Sequence, residues 1–279
     1  MGYQEITYDV KDRVATITLD RPDKLNAWTR VMEADVRRAM GEATRDEAVR
    51  VIVLTGAGRG FCAGADMGLL SGIAGGTETV GAAPSADLPA RAPVPPEGSR
   101  RSDFRGPYAY FPAVPKPIIA ALNGATAGLG LVIALSCDVR WASETAVFTT
   151  AFSRRGLIAE HGVSWMLPRL VGLQHALDLL LSARTLGAAE ALRIGLVNRV
   201  LPEPELIGGA RAYALELVDR VSPRSMAVIK RQLWEAQFQT LSEATAVAND
   251  EMVKSFGAAD FKEGVAHFLE KRAPRFTGH

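Results

Sequence analysis

The segment with the most chemical potential is Thr55-Gly56-Ala57-Gly58-Arg59-Gly60-Phe61-Cys62-Ala63-Gly64-Ala65-Asp66, which follows directly on an apolar run. Glycines let a backbone turn sharply and approach a ligand, leaving main-chain N–H groups free to point inward. The segment is not a phosphate P-loop, because it lacks a Gly-Lys-Ser/Thr ending. Nor is Gly56-x-Gly58-x-Gly60 a dinucleotide fingerprint, since the last spacing is missing. Without further context it also reads as a tight β–α connection. A second candidate is Gly128-Leu129-Gly130 at the start of an apolar helix. There the helix dipole and unpaired N–H groups favour developing negative charge, the alternative being close packing of a helix end on a strand. Two such sources of N–H aimed at one point form an oxyanion hole.

The elements around these segments repeat. Glu5 to Val10 and Val14 to Leu19 are short alternating runs joined by Lys11-Asp12-Arg13, which predicts a hairpin. Arg30 to Thr44 carries Val31, Met32, Val36, Met40 and Ala43 at helical spacing. The run VRVIVLTG that follows is a strand of the kind buried on both faces. Pro117 to Leu122 repeats the scheme as a buried strand, followed by Asn123-Gly124, the Gly128–Gly130 turn, the apolar helix LVIALSC and a strand over Val139 to Ala142. Two strand–glycine loop–helix units predict a repeated α/β superstructure. From Ala176 onward the pattern is helical: Ala176 to Leu181, Ala188 to Ile194 and, after the stiff break Leu201-Pro202-Glu203-Pro204, Ile207 to Val221, Pro223 to Phe238, Leu241 to Ser255 and Lys262 to Lys271. Between the two units, Ser71 to Gly106 is rich in Gly, Ala and Pro with little periodicity, and reads either as a mobile insertion or as an active-site lid.

Composition removes several classes of function. The 279 residues are 48% apolar and 23% charged, the balance of a globular chain with a sizeable core. Thirty-two basic against 31 acidic residues leave a net charge of +1, so nucleic acid and anionic membranes are not expected partners. No apolar run approaches the ~18 residues of a membrane span, and MGYQEITYDV lacks the layout of a secretory signal. Cys62 and Cys137 are too few for a disulfide framework, and His161, His175, His267 and His279 have no metal-ligand spacing. The expectation is a cytoplasmic protein with no metal.

Taken in order, six segments resemble the crotonase superfamily, the enoyl-CoA hydratase/isomerase group, over nearly the whole chain. VATITLDRPDKLNAW is similar to the family's first strand and coenzyme A loop, VIVLTGAGRGFCAGADM to its first oxyanion segment, and PKPIIAALNGATAGLGLVIALSCD to its second. GLVNRVLP, SPRSMAVIK and EGVAHFLEKRAPRF match its later signatures. The resemblance implies an α/β fold, a spiral of repeated ββα units over residues 1–200 with residues 71–106 inserted. A helical trimerisation region would occupy residues 201–279. The implied partners are an acyl-CoA substrate and further copies of the chain, as a homotrimer or a dimer of trimers. No cofactor is implied, coenzyme A being part of the substrate.

Residue by residue, the resemblance implies that the N–H groups of Ala65 and Leu129 bind the thioester carbonyl. Main-chain atoms of Ala63 and of Ala65 to Gly68 (including Asp66 and Met67), with Lys24 near the nucleotide end, would hold coenzyme A. Phe268 and Lys271 match positions that reach a neighbouring subunit's coenzyme, and otherwise read as a helix anchor and a solvated lysine. Hydratases of the family use two glutamates. An ungapped alignment puts Val132 at the first position and Phe152 at the second, neither able to transfer a proton. Glu160, in the apolar turn Gly156-Leu157-Ile158-Ala159-Glu160-His161-Gly162, resembles the glycine-loop glutamate of peroxisomal-type Δ3,Δ2-enoyl-CoA isomerases. An apolar pocket would raise its pKa and suit it to take and return a proton; the alternative is a capping glutamate paired with Arg154 or His161. His161 reads as a tuning group or as a plain loop residue. Phe152, Trp165 and Tyr110, with Val132, are expected to line an acyl pocket, or else to be core. Isomerisation through a thioester enolate leads. The alternatives are hydration or another lyase reaction using Glu160, and a non-catalytic acyl-CoA-binding scaffold.

Overall fold

The alternation of VATITL decides the first hairpin. In the computed structural model, which describes residues 2–77 and 101–279, β1 (Ile6–Lys11) pairs antiparallel with β2 (Val14–Leu19) from Ile6 opposite Leu19 to Lys11 opposite Val14. Asp12 and Arg13 take φ of 52° and 63° between them, the left-handed pair of a two-residue hairpin turn. Helix α1 (Arg30–Arg45) starts where the Thr29 hydroxyl accepts the Met32 N–H at 3.0 Å, and buries Met32, Val36, Ala39, Met40 and Ala43.

A repeat then begins in which each turn of chain gives one strand to each of two sheets. β3 (Val51–Gly56), β5 (Ile118–Leu122) and β7 (Val139–Ser143) join β1, β2 and β10 (Arg199–Leu201) in a six-stranded sheet ordered β1-β2-β3-β5-β7-β10. β4 (Gly60–Cys62), β6 (Ala125–Ala127), β8 (Val147–Thr149) and β9 (Leu186–Gly187) form a four-stranded sheet in that order. After the second strand of successive turns come α2 (Met67–Ala74), α3 (Leu129–Ser136) and α4 (Val163–Ser182), then α5 (Ala188–Arg193). This is the repeated ββα scheme that the resemblance implies, built on the α/β repeat read from the glycine-punctuated units. β3 shows why its run is apolar throughout. Ile52 and Leu54 enter the core between the layers, while Val51 and Val53 pack under Leu206, Ala210, Ala214 and Val218 of α6 (Leu206–Arg220), so both faces are covered. Helices α7 (Pro223–Ala236), α8 (Leu241–Gly257) and α9 (Ala259–Glu270) complete the chain.

The structure departs from the expected elements in three places. The strands β4, β6, β8 and β9 are two or three residues long, too short for any period to register. The helix expected over Ala176 to Leu181 ends α4, which the non-helical Gly172 (φ 80°) divides into two helical stretches, the earlier of them obscured in sequence by Pro168. Within the stretch read as an insertion or lid, α2 extends to Ala74, and Ser102–Arg105 forms a 3-10 turn that buries Phe104. Residues 78–100 lie outside the described residues, and the expectation of mobility falls mainly on them.

Candidate active site

Strand register brings the two glycine turns together. β4 and β6 pair in parallel with Cys62 opposite Thr126, and Ala65 and Leu129 each follow three residues later. Equivalent points of successive spiral turns therefore sit side by side. A Cβ added to Gly64 (φ +101°) would lie 3.1 Å from the Ala127 carbonyl oxygen and 3.9 Å from Gly128 Cα, and one on Gly130 only 2.2 Å from the Cys62 carbonyl oxygen. No residue but glycine permits either approach. The Trp28 N–H donates to the Gly64 carbonyl at 2.7 Å, and the Asp66 N–H to the Trp28 carbonyl at 2.9 Å. Ala65 is thus clamped between two hydrogen bonds while its own N–H donates to no protein acceptor among the described residues. Leu129 opens α3, where an N–H has no partner within the helix. Its side chain is buried in the core, so a leucine here supplies only its backbone to the site. Both residues line one cavity of about 30 Å³, enough for a single water-sized group.

Glu160 lines that same cavity, with Phe152, Arg155, Leu157 and His161. The loop that carries it bends through Gly156 (φ +71°), His161 (φ 53°) and Gly162 (φ +78°) and is pinned to α4 by the Val163 N–H donating to the Glu160 carbonyl at 3.0 Å. The Glu160 side chain keeps 30% of its surface exposed, so water reaches a carboxyl that the apolar turn alone would suggest is enclosed. His161 Nε2 stands 3.7 Å from its Oε2. Desolvation lowers the imidazole pKa against the opposing pull of the Glu160 charge. The ring meets Tyr108 edge-on at 4.7 Å between centroids, and the Tyr108 hydroxyl donates to Glu33 at 3.2 Å. Desolvation raises the pKa of both Tyr108 and Glu33. Sequence reasoning did not connect Glu33 and Tyr108 to the site; Glu33 sits among the charges of an amphipathic helix, with no local sign that it faces inward. Cys62, within the first glycine segment, is fully buried, which pushes its thiol up to about 12 and disfavours the thiolate that a nucleophile needs.

Of the residues expected to hold coenzyme A, Lys24, Ala63, Asp66, Met67 and Gly68 lie close together. The Ala63 N–H donates to the Leu25 carbonyl at 2.9 Å, which ties the segment to the Pro22–Lys24 turn. Asp66 caps α2 by accepting the Gly68 N–H at 2.8 Å and accepts Arg21 Nη1 at 3.0 Å. The Gly68 N–H, then Arg21, and more weakly the charge of Lys24 hold the Asp66 carboxyl below its ordinary range. Met67 next to it is exposed.

Other expected residues fall elsewhere. Val132 is wholly buried in α3, and Tyr110 packs on Phe111 at 4.6 Å with Arg37 over its ring at 4.5 Å; neither lines the cavity with Glu160. Val132 belongs to the apolar core that also includes Leu129 and Phe152. Trp165 lines an adjoining chamber rather than the Glu160 cavity. Phe268, exposed on α9, and Lys271 at that helix's end lie outside the cleft of Ala65 and Glu160. Among the described residues no group of three or more His, Cys, Asp and Glu side chains is placed to hold a metal ion, and no helix is long and apolar enough to cross a membrane.

The enoyl-CoA hydratase/isomerase family profile matches residues 9–82 and 90–279. The chain belongs to the enoyl-CoA hydratase/isomerase family. It is 37% identical over 278 residues to a "probable enoyl-CoA hydratase" of Rhodobacter capsulatus, covering 100% of both chains. It is 34% identical over 270 residues to the 1,2-epoxyphenylacetyl-CoA isomerase of Escherichia coli, covering 96% of this chain and 97% of that one. The crystal structure of an enoyl-CoA hydratase/isomerase from Mycobacterium paratuberculosis superposes with a TM-score of 0.85 at 27% identity, covering 100% of each. The crotonase fold and the character of an acyl-CoA enzyme follow from this membership.

Proposed function

We propose that this enzyme moves a proton along an acyl-CoA thioester, as an isomerase, with Glu160 as its acid–base group. The observation that carries the reading is the shared cavity: Glu160, Ala65 and Leu129 line it together, the last two with backbone N–H groups that bond no acceptor among the described residues, while Val132 and Phe152 stand where the resemblance puts the hydratase glutamates. In this reading the thioester oxygen accepts both N–H groups, which stabilises negative charge on it as an enolate forms. Glu160 removes a proton from the carbon next to the carbonyl and returns it further along the conjugated chain, so a 3-enoyl thioester becomes a 2-enoyl one with no net change in composition. Desolvation lowers the His161 pKa against the pull of the Glu160 charge, and in this reading Glu160 is the proton carrier. The rim of Lys24, Ala63, Asp66, Met67 and Gly68 supports a coenzyme A site, with no cofactor beyond the substrate's own coenzyme. The relative named as an epoxyphenylacetyl-CoA isomerase is consistent with isomerase chemistry; those named as hydratases favour the alternative in which Glu160 alone directs water.

The test is incubation with 3-enoyl-CoA and 2-enoyl-CoA. A rise in conjugated-thioester absorbance from the first is the expected result; loss from the second, with 3-hydroxyacyl-CoA found by mass, supports hydration; silence with both supports a binding scaffold. Glu160→Gln should cut turnover by about 100-fold or more, the scale of a positioned general base, with acyl-CoA affinity and folding nearly unchanged because Gln keeps the shape of Glu. Full turnover in that variant would remove Glu160 from the mechanism. The assembly is part of the same proposal. Leu241, Val253, Phe268 and Leu269 of α8 and α9 are 85%, 67%, 77% and 73% exposed in the single chain, which favours burial between copies in a homotrimer or dimer of trimers; a monomer by light scattering at micromolar concentration refutes it. A cytoplasmic location is in keeping with two buried free thiols.

A further inference from the structure

Next to the Glu160 cavity lies a second chamber of about 210 Å³, and His161 lines both. Its walls are aromatic: Phe104, Trp165, Trp234 and Phe238, with Met166. These rings are set against one another. Phe104 meets Trp234 edge-on at 6.0 Å and Phe238 edge-on at 5.9 Å, and Trp165 stacks on Phe238 at 5.1 Å and 14°. The Trp234 wall is fixed from behind, its Nε1–H donating at 3.0 Å to Asp138, which also pairs with the buried Lys230 at 2.7 Å and accepts the Ile118 N–H at 2.7 Å.

Resting on the acyl-CoA reading above, we propose that this chamber receives the distal end of the acyl group, and that the group it is built for is an unsubstituted aromatic ring. The first argument is continuity. The chamber and the Glu160 cavity share His161 as a lining residue, so they adjoin where the reacting carbons of a thioester held at Ala65 and Leu129 would lie. Size is the second: apolar cavities of about 150 Å³ hold benzene, so 210 Å³ takes a phenyl ring with a short linker. Wall chemistry is the third. Edge-to-face and offset-stacked rings, with a thioether, contact another ring favourably. A flexible alkyl chain of equal volume makes weaker use of those faces and loses rotamer freedom on entering. Polar demand is the fourth. Ser136 already donates to the Val132 carbonyl at 2.9 Å, and Asp103 is paired with Arg101 at 2.9 Å. Apart from these two and His161 the lining side chains are apolar or aromatic, so a ring hydroxyl placed against them is desolvated unpaired, which is costly.

Calorimetric titration of the full chain with four non-isomerising ligands tests this: acetyl-CoA, hexanoyl-CoA, 3-phenylpropanoyl-CoA and 3-(4-hydroxyphenyl)propanoyl-CoA. The phenyl thioester should bind about 10-fold more tightly than hexanoyl-CoA, and the hydroxyphenyl analogue roughly 10-fold more weakly than the phenyl one. Phe238→Leu, at a partly exposed wall position where a leucine can be accommodated, should shrink the phenyl preference to under about 3-fold while leaving acetyl-CoA affinity unchanged. Trp165→Leu is the second variant, reading the opposite face of the same stack. If hexanoyl- and 3-phenylpropanoyl-CoA bind alike, or the preference survives both substitutions, the aromatic assignment is overturned while the acyl-CoA reading stands. If acetyl-CoA itself does not bind, both fall together.

Discussion

Gly130→Ala tests the idea that close backbone approach sets the two N–H donors. An alanine Cβ at this position would stand 2.2 Å from the Cys62 carbonyl oxygen, 2.8 Å from Cys62 Cβ and 2.9 Å from the Cys62 carbonyl carbon. A carbon and a carbonyl oxygen ordinarily stay about 3.3 Å or more apart, so the two segments must part by about 1 Å. Cys62 has little freedom, being fully buried and paired with Thr126. The movement falls on the start of α3 and carries the Leu129 N–H with it. Misplacing a positioning group by that distance costs about 100-fold in rate, in line with the 100- to 1000-fold loss when one oxyanion donor is removed. Overpacking should cost about 1–3 kcal/mol of stability. The assay is initial rate on the acyl-CoA that the parent converts, beside thermal unfolding and acetyl-CoA affinity by calorimetry. Gly208→Ala is the control. It lies in α6, with no heavy atom within 4 Å of an added Cβ, and should leave turnover unchanged while stabilising by up to about 1 kcal/mol. A folded Gly130→Ala variant with turnover within about 3-fold of the parent would refute the reasoning.

Three further outcomes are expected. Asp66→Ala should cost about 0.5–2 kcal/mol at pH 7 as the cap of α2 is lost, read by chemical denaturation. Because the Gly68 N–H and Arg21 hold that carboxyl below its ordinary value of 3.8, its contribution is present above that value and lost as pH falls through the lower folded one. Parent and variant should therefore converge in stability at the acid end, and a gap that persists there counts against the cap. Lys230→Met should destabilise by about 3–5 kcal/mol, because it leaves Asp138 without its buried cation and frees the Phe111 and Lys116 carbonyls that Lys230 Nζ bonds at 3.2 and 3.1 Å; an unchanged unfolding midpoint would show the pair to be dispensable. Tyr108→Phe, which removes only the hydroxyl donated to Glu33, should lower stability by about 0.5–1.5 kcal/mol and leave Glu160-dependent turnover within about 3-fold. A larger loss of rate would place that hydroxyl in the chemistry.

The sequence by itself determined the local half of this protein. Alternation in VATITL, the unbroken apolar run of β3 and the helical stripe of α1 are short-range patterns whose periods report burial directly. Glycine at 64 and 130 marked the backbone approaches before any fold was known, and the order of the six segments carried the family. What the tertiary structure decided is what depends on register between distant turns. Ala65 and Leu129 are neighbours because Cys62 pairs with Thr126 across strands of three residues, too short to betray themselves in a pattern. Val132 and Phe152 look alike in sequence as apolar replacements and both join the core, yet only Phe152 also lines the cavity of Glu160, because tertiary packing decides which core side chains reach a cavity. The aromatic chamber draws Phe104, Trp165, Trp234 and Phe238 from stretches up to 134 positions apart. No window of sequence holds such a site, since apolar attraction has no directional code and only the packed layers choose which rings meet.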